Sequence, residues 1–209
     1  MMKRIGMMLG TGLLLALPAV AQMGPMQPRT LAQTQAGTYV ADPAHTSVTW
    51  RVNHFGLSWY TARFTKFDST IQFDPANPTR SSVTVNIDPK SIRTDFPAPE
   101  RINFDEKIAK EALQSEAHPQ IRFRSTGLTA TGPTTGRLTG DLTLAGVTKP
   151  VTLDVTFNGG LDNPMDRTPM LGFSARGNFK RSEWGVRNWL PVVGDEVQLV
   201  IEAEYKKQA

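Results

Sequence analysis

The sequence predicts an all-β protein of about eight antiparallel strands with one short helical insertion. From Tyr39 onward, apolar and polar residues alternate with a period of two along most of the chain, which is the pattern of half-buried strands. One stretch, residues 102–119, instead carries apolar residues at roughly helical spacing and is charged elsewhere. The chain shows no internal repeat and no sign of a second domain, so we expect a single domain of ordinary size.

The first residues predict export. Lys3 and Arg4 precede an apolar run over residues 7–17, and Ala19-Val20-Ala21 follows as an A-x-A cleavage signature. This order is typical of a secretory signal peptide, here residues 1–21. An uncleaved membrane anchor is the alternative, but the run is shorter than the ~20 apolar residues that span a bilayer.

Composition narrows the class of protein further. With Lys3 and Arg4 removed, the formal net charge of +4 falls by two to +2, and no basic block with interleaved aromatics is left, which argues against nucleic-acid binding. The chain has no cysteine, so it has no disulfide, no thiol nucleophile and no cysteine for a lipid anchor. We expect a free, exported protein in a bacterial periplasm.

After the signal, residues 22–37 are rich in Gln, Pro, Gly and Met without a period and predict a disordered lead-in. Residues 38–209 form the predicted β-domain. In chain order, its alternating strands place the following residues on one face: Val48, Trp50, Val52 and His54; Ile71 and Phe73; Val83, Val85 and Ile87; Ile121 and Phe123; Leu138, Leu142 and Leu144; Val151, Leu153, Val155 and Phe157; Leu171, Phe173, Ala175 and Phe179; Val197, Leu199, Ile201, Ala203 and Tyr205.

The insertion at residues 102–119 predicts a helix of two to three turns. Phe104, Ile108 and Leu113 form its apolar face, and the helix is expected to stop before Pro119.

The hairpin at residues 141–157, DLTLAGVTKPVTLDVTF, shows the alternation most clearly on both sides of a short turn. Strands with one dry face can close into a barrel or stack as a sandwich. A barrel of about eight strands is either filled by side chains or holds one small ligand. The small inward residues Gly140, Ala175 and Gly177 favour a cavity, unless large neighbours fill the space or a glycine marks a bulge.

These residues resemble the YceI-like proteins, which are described as polyisoprenoid-binding and lipocalin-like. The resemblance covers nearly all of the domain and rests on six motifs in order: DPAHTSV at 42–48 with VNHFG at 52–56, SIRT at 91–94, HPQIRFRS at 118–125, GDLTLAGVTKPV at 140–151, RSEWGV at 181–186 and VGDEV at 193–197. It implies an extended antiparallel lipocalin-like β-barrel around a long apolar tunnel. The implied ligand is an isoprenoid lipid, a quinone or a polyprenyl chain, with no other cofactor.

One segment departs from the family pattern. Many members carry a short Arg-Asp-x-His-Leu segment after the Ser-Ile-x-Thr motif, where this chain has PAPERINFDEKIAKEAL with Arg101 but no histidine. The part that this segment plays at the tunnel mouth is therefore open.

With the resemblance, the inward-facing residues become candidate ligand-binding residues on the tunnel wall. They are Val48, Trp50, Val52, His54, Phe64, Phe67, Phe73, Val85, Ile87, Ile121, Phe123, Leu138, Leu142, Leu144, Val151, Leu153, Val155, Phe173, Ala175, Phe179, Leu199 and Ile201. A tunnel wall and a packed core need the same residues, so the pattern alone does not separate them.

The three histidines show no metal-ligand spacing, and no metal is expected. His45 lies in a turn-like Asp-Pro-Ala-His sequence and is expected to make local hydrogen bonds. His54 continues the inward face of its strand and is either a rim histidine or a polar contact for a ligand head group. No G-x-S-x-G nucleophile motif occurs, so no catalytic residue is assigned.

Two further motifs have open interpretations. Arg181 with Glu183 and Trp184 predicts a structural clamp on a bend, with phosphate recognition by Arg181 as the alternative. Trp59 and Trp189 either pack in the core and rim or lie at the mouth and touch membrane or ligand.

The sequence therefore supports three hypotheses. The first is storage, transport or sequestration of an isoprenoid lipid in the periplasm. The second is a packed β-barrel that serves as a protein-interaction or stress module without lipid. The third is an enzyme that acts on the head group of a bound lipid. A transient membrane contact and a dimer through an edge strand such as residues 197–205 stay open.

Overall fold

A computed structural model of the chain describes residues 27–208. It forms one antiparallel sheet of eleven strands, each paired with its neighbours through regular ladders. The strands are β1 (Gly37–Ala41), β2 (Ser47–His54), β3 (Ser58–Phe64), β4 (Phe67–Phe73), β5 (Ser82–Ile87), β6 (Ile92–Arg93), β7 (Ile121–Ala130), β8 (Thr135–Leu144), β9 (Val147–Asp162), β10 (Pro169–Lys180) and β11 (Val193–Lys207).

The eleven strands build a closed barrel of eight. Strand β11 pairs with β2 along its first part and with β1 along its last part, so β1 and β2 together fill one position in the barrel. In the same way β3 pairs with β2 while β4 pairs with β1, and β6 pairs with β3 while β5 pairs with β4. The β1–β11 pairing closes the ring. The structure therefore confirms the all-β fold with a barrel, and excludes the sandwich.

Because neighbouring strands are antiparallel, the connections gather at two ends of the barrel. One end, here called the helix end, carries the β2–β3 turn at residues 55–57, the segment 88–120, the β8–β9 turn at 145–146 and the loop 181–192. The other, the lead-in end, carries the turns 74–81, 131–134 and 163–168 together with residues 27–36.

The predicted helix is present at the helix end. It consists of α1 (Phe104–Lys107) and a following π-helical turn, Ile108–Ala112. Asn103 caps it, because its side chain accepts a hydrogen bond from the backbone N–H of Glu106. The helical region is shorter than the segment 102–119 and ends near Gln114, whose φ of 51° is left-handed. Its buried face packs against the barrel core.

Two apolar clusters fill the interior. The cluster at the helix end contains buried residues of β2, β3, β8, β9 and the helix. The cluster at the lead-in end is largely aromatic, and Phe73, Phe157, Phe173 and Tyr205 meet there with ring centroids between 5.4 and 6.2 Å apart. No helix in the part of the chain that the structure describes has both the length and the apolar character to cross a membrane.

The lead-in differs from the expectation of disorder in its described part, residues 27–37. Arg29 donates two hydrogen bonds to the Asp162 carboxylate at 2.6 and 2.7 Å, and Leu31 packs against the aromatic cluster. Gly159 leaves the space for this segment, since a Cβ there would lie 2.4 Å from Pro28. The Arg29–Asp162 ion pair and the close packing of Pro28 on Gly159 thus order a segment whose sequence has no periodicity. The predicted signal peptide, residues 1–21, lies outside the described residues, as do residues 22–26.

Candidate ligand cavity

The barrel encloses an apolar cavity of about 760 Å³. It exists because each strand turns every second side chain inward, and an eight-stranded barrel leaves a space between the opposite walls. The lining includes residues from both ends of the barrel. Its volume lies within the range of small-molecule sites, which are concave and mostly apolar.

All of the candidate wall residues predicted from the sequence line this cavity. Within or against the cluster at the helix end lie Val48, Trp50, Phe64, Phe67, Ile87, Ile121, Phe123, Leu142, Leu144, Val151, Phe179 and Ile201. The other wall residues are Val52, His54, Phe73, Val85, Leu138, Leu153, Val155, Phe173, Ala175 and Leu199, of which Phe73 and Phe173 belong to the aromatic cluster and His54 lies at the rim. Their contact with a ligand remains a prediction.

The small inward residues do not create the cavity by themselves. A Cβ on Gly140 would lie 2.4 Å from the Phe123 ring, and a Cβ on Gly177 would lie 2.5 Å from Leu153. Large neighbours therefore occupy the space over both glycines, which was the alternative interpretation. Ala175 does face the cavity, so the open volume comes from closure of the barrel more than from small residues.

Several wall residues were missed by sequence reasoning. Phe96, Phe104, Ile108 and Leu113 line the cavity at the helix end, although the sequence assigned the last three only to a helix face. Phe104, Ile108 and Leu113 belong to the segment that departs from the family pattern, and Phe96 directly precedes it, so this segment contributes to the wall of the cavity. Others lie on inward faces that the period of two had already indicated: Ile71, Val83, Phe157, Val197, Ala203 and Tyr205.

The segment that carries Phe96 and Phe104 is fixed to the barrel by one carboxylate. Asp105 accepts hydrogen bonds from the backbone N–H and the hydroxyl of Thr94, at 2.9 and 2.5 Å. The rings of Phe96 and Phe104 lie 5.3 Å apart, and Phe104 also meets Tyr60 edge-on at 6.1 Å. This side of the wall is therefore a packed aromatic group.

Few polar side chains face the cavity. His54 is exposed at the rim, where its ring meets Phe55 edge-on at 4.5 Å. Deep in the lead-in end, the hydroxyls of Ser69 and Tyr205 are hydrogen-bonded at 2.7 Å, and burial raises the pKa of the Tyr205 phenol. A cavity with so few directed polar groups favours a long apolar ligand over a polar one.

Arg181 acts as the predicted structural clamp. Its guanidinium donates to four backbone carbonyls at 2.8–3.2 Å, those of Val186 and Asn188 in the loop that follows it and those of Val193 and Gly194 at the start of β11. Four of its five N–H donors are thereby engaged, which leaves little capacity for a phosphate. Burial lowers the pKa of Arg181.

Trp184, which belongs to the same predicted clamp motif, is a core residue. It is 1% exposed, and its indole N–H donates to the carbonyl of Leu142 at 2.9 Å. Of the two tryptophans with open interpretations, Trp189 lines the cavity at the helix end, whereas Trp59 lies on the outer face beneath Arg51.

One group of metal-compatible side chains occurs among the described residues, Asp42, His45 and Glu204. Both cationic neighbours already bind the same oxygen of Asp42, His45 Nδ1 at 2.9 Å and Lys206 Nζ at 2.8 Å. Lys206 first, and then His45, lower the pKa of Asp42 to about 2. The group is an ion-pair network at the junction of β1 and β2, and His45 makes the local hydrogen bonds expected of it.

Comparisons with known proteins agree with this architecture. The chain is 35% identical over 179 residues to a UPF0312 protein of Azotobacter vinelandii, covering 84% of this chain and 90% of that one. The structure of Burkholderia cenocepacia BcnA superposes with a TM-score of 0.69 at 24% identity, covering 78% of this chain and 98% of that chain.

A second solved structure is a polyisoprenoid binding domain from Saccharophagus degradans implicated in plant cell wall breakdown. It superposes with a TM-score of 0.56 at 13% identity, covering 83% of this chain and all of that one. These two structural likenesses show the fold. The model of the YceI-like domain matches residues 39–205, from the first barrel strand to the last. The chain therefore belongs to the YceI-like family.

Proposed function

We propose that the protein binds an isoprenoid lipid, a quinone or a polyprenyl chain, non-covalently inside the barrel. The observation that carries the proposal is the apolar cavity of about 760 Å³ with few polar groups on its wall. Burial of apolar surface contributes about 25 cal/mol per Å², so a chain with a few hundred Å² of apolar surface gains several kcal/mol before ordering costs.

The relatives support this choice of ligand. The chain belongs to the YceI-like family, and a protein of the same fold is described as a polyisoprenoid binding domain. The cavity argues against the packed barrel of the second hypothesis. We assign binding, storage or transport to the protein and no reaction.

His54 is our candidate contact for the lipid's head group. Its ring lies at the exposed rim of the cavity and makes no side-chain hydrogen bond to the residues that the structure describes. Either ring nitrogen is thus available to a polar group such as a quinone carbonyl. The rest of the ligand would lie along the apolar wall.

We also propose that the protein works in the periplasm. The support is the sequence pattern of residues 1–21, with its basic start, apolar run and A-x-A site. Isoprenoid lipids are insoluble in water, so a carrier there would shield its cargo from solvent.

Native mass spectrometry of the protein purified from its own host tests the proposal. We expect a bound mass, removable by solvent extraction, that varies in steps of one isoprene unit, on a chain that begins after residue 21. An empty protein that also takes up no quinone or polyprenyl phosphate would contradict lipid binding and favour the interaction module.

A blocking variant sharpens the test. Ala175 faces the cavity from the middle of β10, so Ala175→Phe places a ring in the path of the ligand. Thr152→Phe is the matched control, because Thr152 is exposed on the outer face of β9. We expect the first variant to lose at least tenfold in bound lipid and the second to match wild type, with both folded by circular dichroism.

A further inference from the structure

Exposed apolar side chains are concentrated at the helix end. Phe55 and Leu57 in the β2–β3 turn are 61% and 87% exposed, and Trp189 and Val192 in the loop 181–192 are 36% and 41% exposed. We call these four residues the apolar tips. Large contiguous apolar groups on a protein surface mark sites that contact another protein or a membrane.

The apolar tips form one surface rather than two separate projections. The backbone N–H of Phe55 donates to the carbonyl of Val192 at 2.9 Å, which joins the turn to the loop. Within the loop, the N–H of Val193 donates to the carbonyl of Trp189 at 2.8 Å. Since Arg181 holds two carbonyls of the same loop and two at the start of β11, the surface is preformed.

The backbone at two of these positions is unfavourable for the residue that occupies it. Phe55 has a φ of 55° and Trp189 a φ of 62°, a left-handed conformation that suits glycine or asparagine and disfavours bulky side chains. Neither ring is fully buried in return, since Phe55 is 61% and Trp189 36% exposed. Strain of this kind persists at functional sites. It therefore indicates that both rings serve to contact another molecule rather than to stabilise the fold.

The apolar tips stand at the helix-end rim of the cavity. Trp189 and Val192 line the cavity themselves, as does His54 next to Phe55. A partner that covered this surface would therefore lie over the helix end of the cavity.

The side chains next to the tips in the chain favour an anionic partner. Residues 51–61 and 184–194 contain no acidic side chain, while they contain Arg51 and Arg187. The acidic side chains of the helix end lie in the segment 88–120 and at Glu183 and Asp195, and Ser182 binds the Asp195 carboxylate. The ammonium of Lys107 lies 6.0 Å from the Trp189 ring. Exposed tryptophan beside cationic side chains matches the interface of an anionic bilayer, where indole rings lie at the level of the head groups and Lys or Arg contact them.

We propose that the apolar tips dock the helix end of the barrel onto the surface of an anionic phospholipid bilayer. Docking places the helix end of the cavity at the acyl region, and in this proposal the lipid enters through that end, so that it passes between membrane and cavity without crossing water. The transfer of an isoprenoid lipid rests on the proposed function, whereas the docking itself does not.

Flotation with vesicles of phosphatidylglycerol and phosphatidylethanolamine tests the docking. The test variant is Phe55→Asn with Leu57→Ser, in which asparagine keeps the left-handed backbone of position 55. The matched control is Met165→Ser, since Met165 is 93% exposed but lies in the turn 163–168 at the opposite end. We expect the vesicle-bound fraction of the double variant to fall at least tenfold, the scale set by burial of one large apolar side chain, and the control to match wild type.

Three results would overturn the docking. The double variant could float as well as wild type, or Met165→Ser could lose binding to the same degree. A wild-type dimer in analytical ultracentrifugation that the double variant abolishes would assign the tips to a second copy of the chain. A failure of the proposed lipid binding can be distinguished from a failure of the docking. If native mass spectrometry finds no bound lipid, the wild type should still bind vesicles.

Discussion

The two ends of the barrel differ in how much apolar surface they expose. At the lead-in end, Phe73, Phe157 and Tyr205 are buried and pack edge-on or stacked, and Met165 is the one large exposed apolar side chain in the described turns there. The helix end has a buried core of its own, which includes Trp184, but the apolar tips project from it into solvent. The comparison teaches that the exposed apolar side chains of the tips are separated from the aromatic cluster along the barrel axis, although both ends contribute to the core.

The largest expected effect tests this separation directly. Phe157→Ala removes a ring that lies 5.4 Å from Phe173 and is 6% exposed, and truncation of a buried phenylalanine costs about 3–5 kcal/mol. Phe55→Asn removes an exposed ring and should change the free energy of unfolding by less than about 0.5 kcal/mol. Urea denaturation of both variants checks the difference. Equal losses would mean that the exposed Phe55 ring contributes to stability as much as a buried ring of the aromatic cluster does.

A smaller effect is expected where the helix end does hold buried structure. Arg181→Met leaves two carbonyls of the loop and two at the start of β11 without their donor. The four lost hydrogen bonds contribute about 0.5–1.5 kcal/mol each. Because the variant also removes a buried charge, whose desolvation costs free energy, we expect a net loss of about 2–4 kcal/mol. Arg187→Met is the control, because Arg187 is exposed on the same loop. We also expect Arg181→Met to speed amide exchange of Val186 and Val193. A folded variant with unchanged exchange would show that the loop does not depend on the clamp.

The barrel wall was predictable from the sequence because a closed barrel gives each strand one dry face. The alternation from Val48 to Tyr205 therefore identified both the strands and the wall of the cavity. The helix was predictable from its spacing, but its role in the wall was not, since helical apolar residues pack against many kinds of surface. The sequence left open whether Gly140 and Gly177 provide space for a cavity or are covered by large neighbours. The structure shows that large neighbours cover both glycines, and only the three-dimensional register of the strands could decide this.

Contacts between distant residues were beyond the sequence pattern. Arg29 and Asp162 are 133 residues apart, and their ion pair orders a lead-in that has no periodicity of its own. The partners of Arg181 are backbone carbonyls, which no side-chain motif reveals. The sequence also gives no sign of the left-handed backbone at Phe55 and Trp189, although both residues belong to the apolar tips that distinguish the helix end from the lead-in end.

The smallest expected effect concerns the junction of β1 and β2, where the two halves of one barrel position meet. The folded pKa of Asp42 is held at about 2, below its ordinary value of 3.8, chiefly by Lys206. A lowered folded pKa means that the stabilisation is present above pH 3.8 and is lost as the pH falls from about 4 towards 2. Because the cationic partners are solvent-exposed, we expect Asp42→Asn to cost less than about 1 kcal/mol at pH 7.

The sign of the pH dependence distinguishes this network from a purely steric junction. Thermal unfolding of wild type should show a falling midpoint between pH 4 and pH 2, and Asp42→Asn should flatten that part of the curve while it lowers the midpoint at pH 7. Lys206→Met removes the largest cause of the shift, so the loss should then be smaller and should end at a higher pH than in wild type. A curve for Asp42→Asn that runs parallel to wild type through this window would mean that the carboxylate's charge does not hold β1 and β2 together, and that the junction between the two ends rests on the ladder with β11 alone.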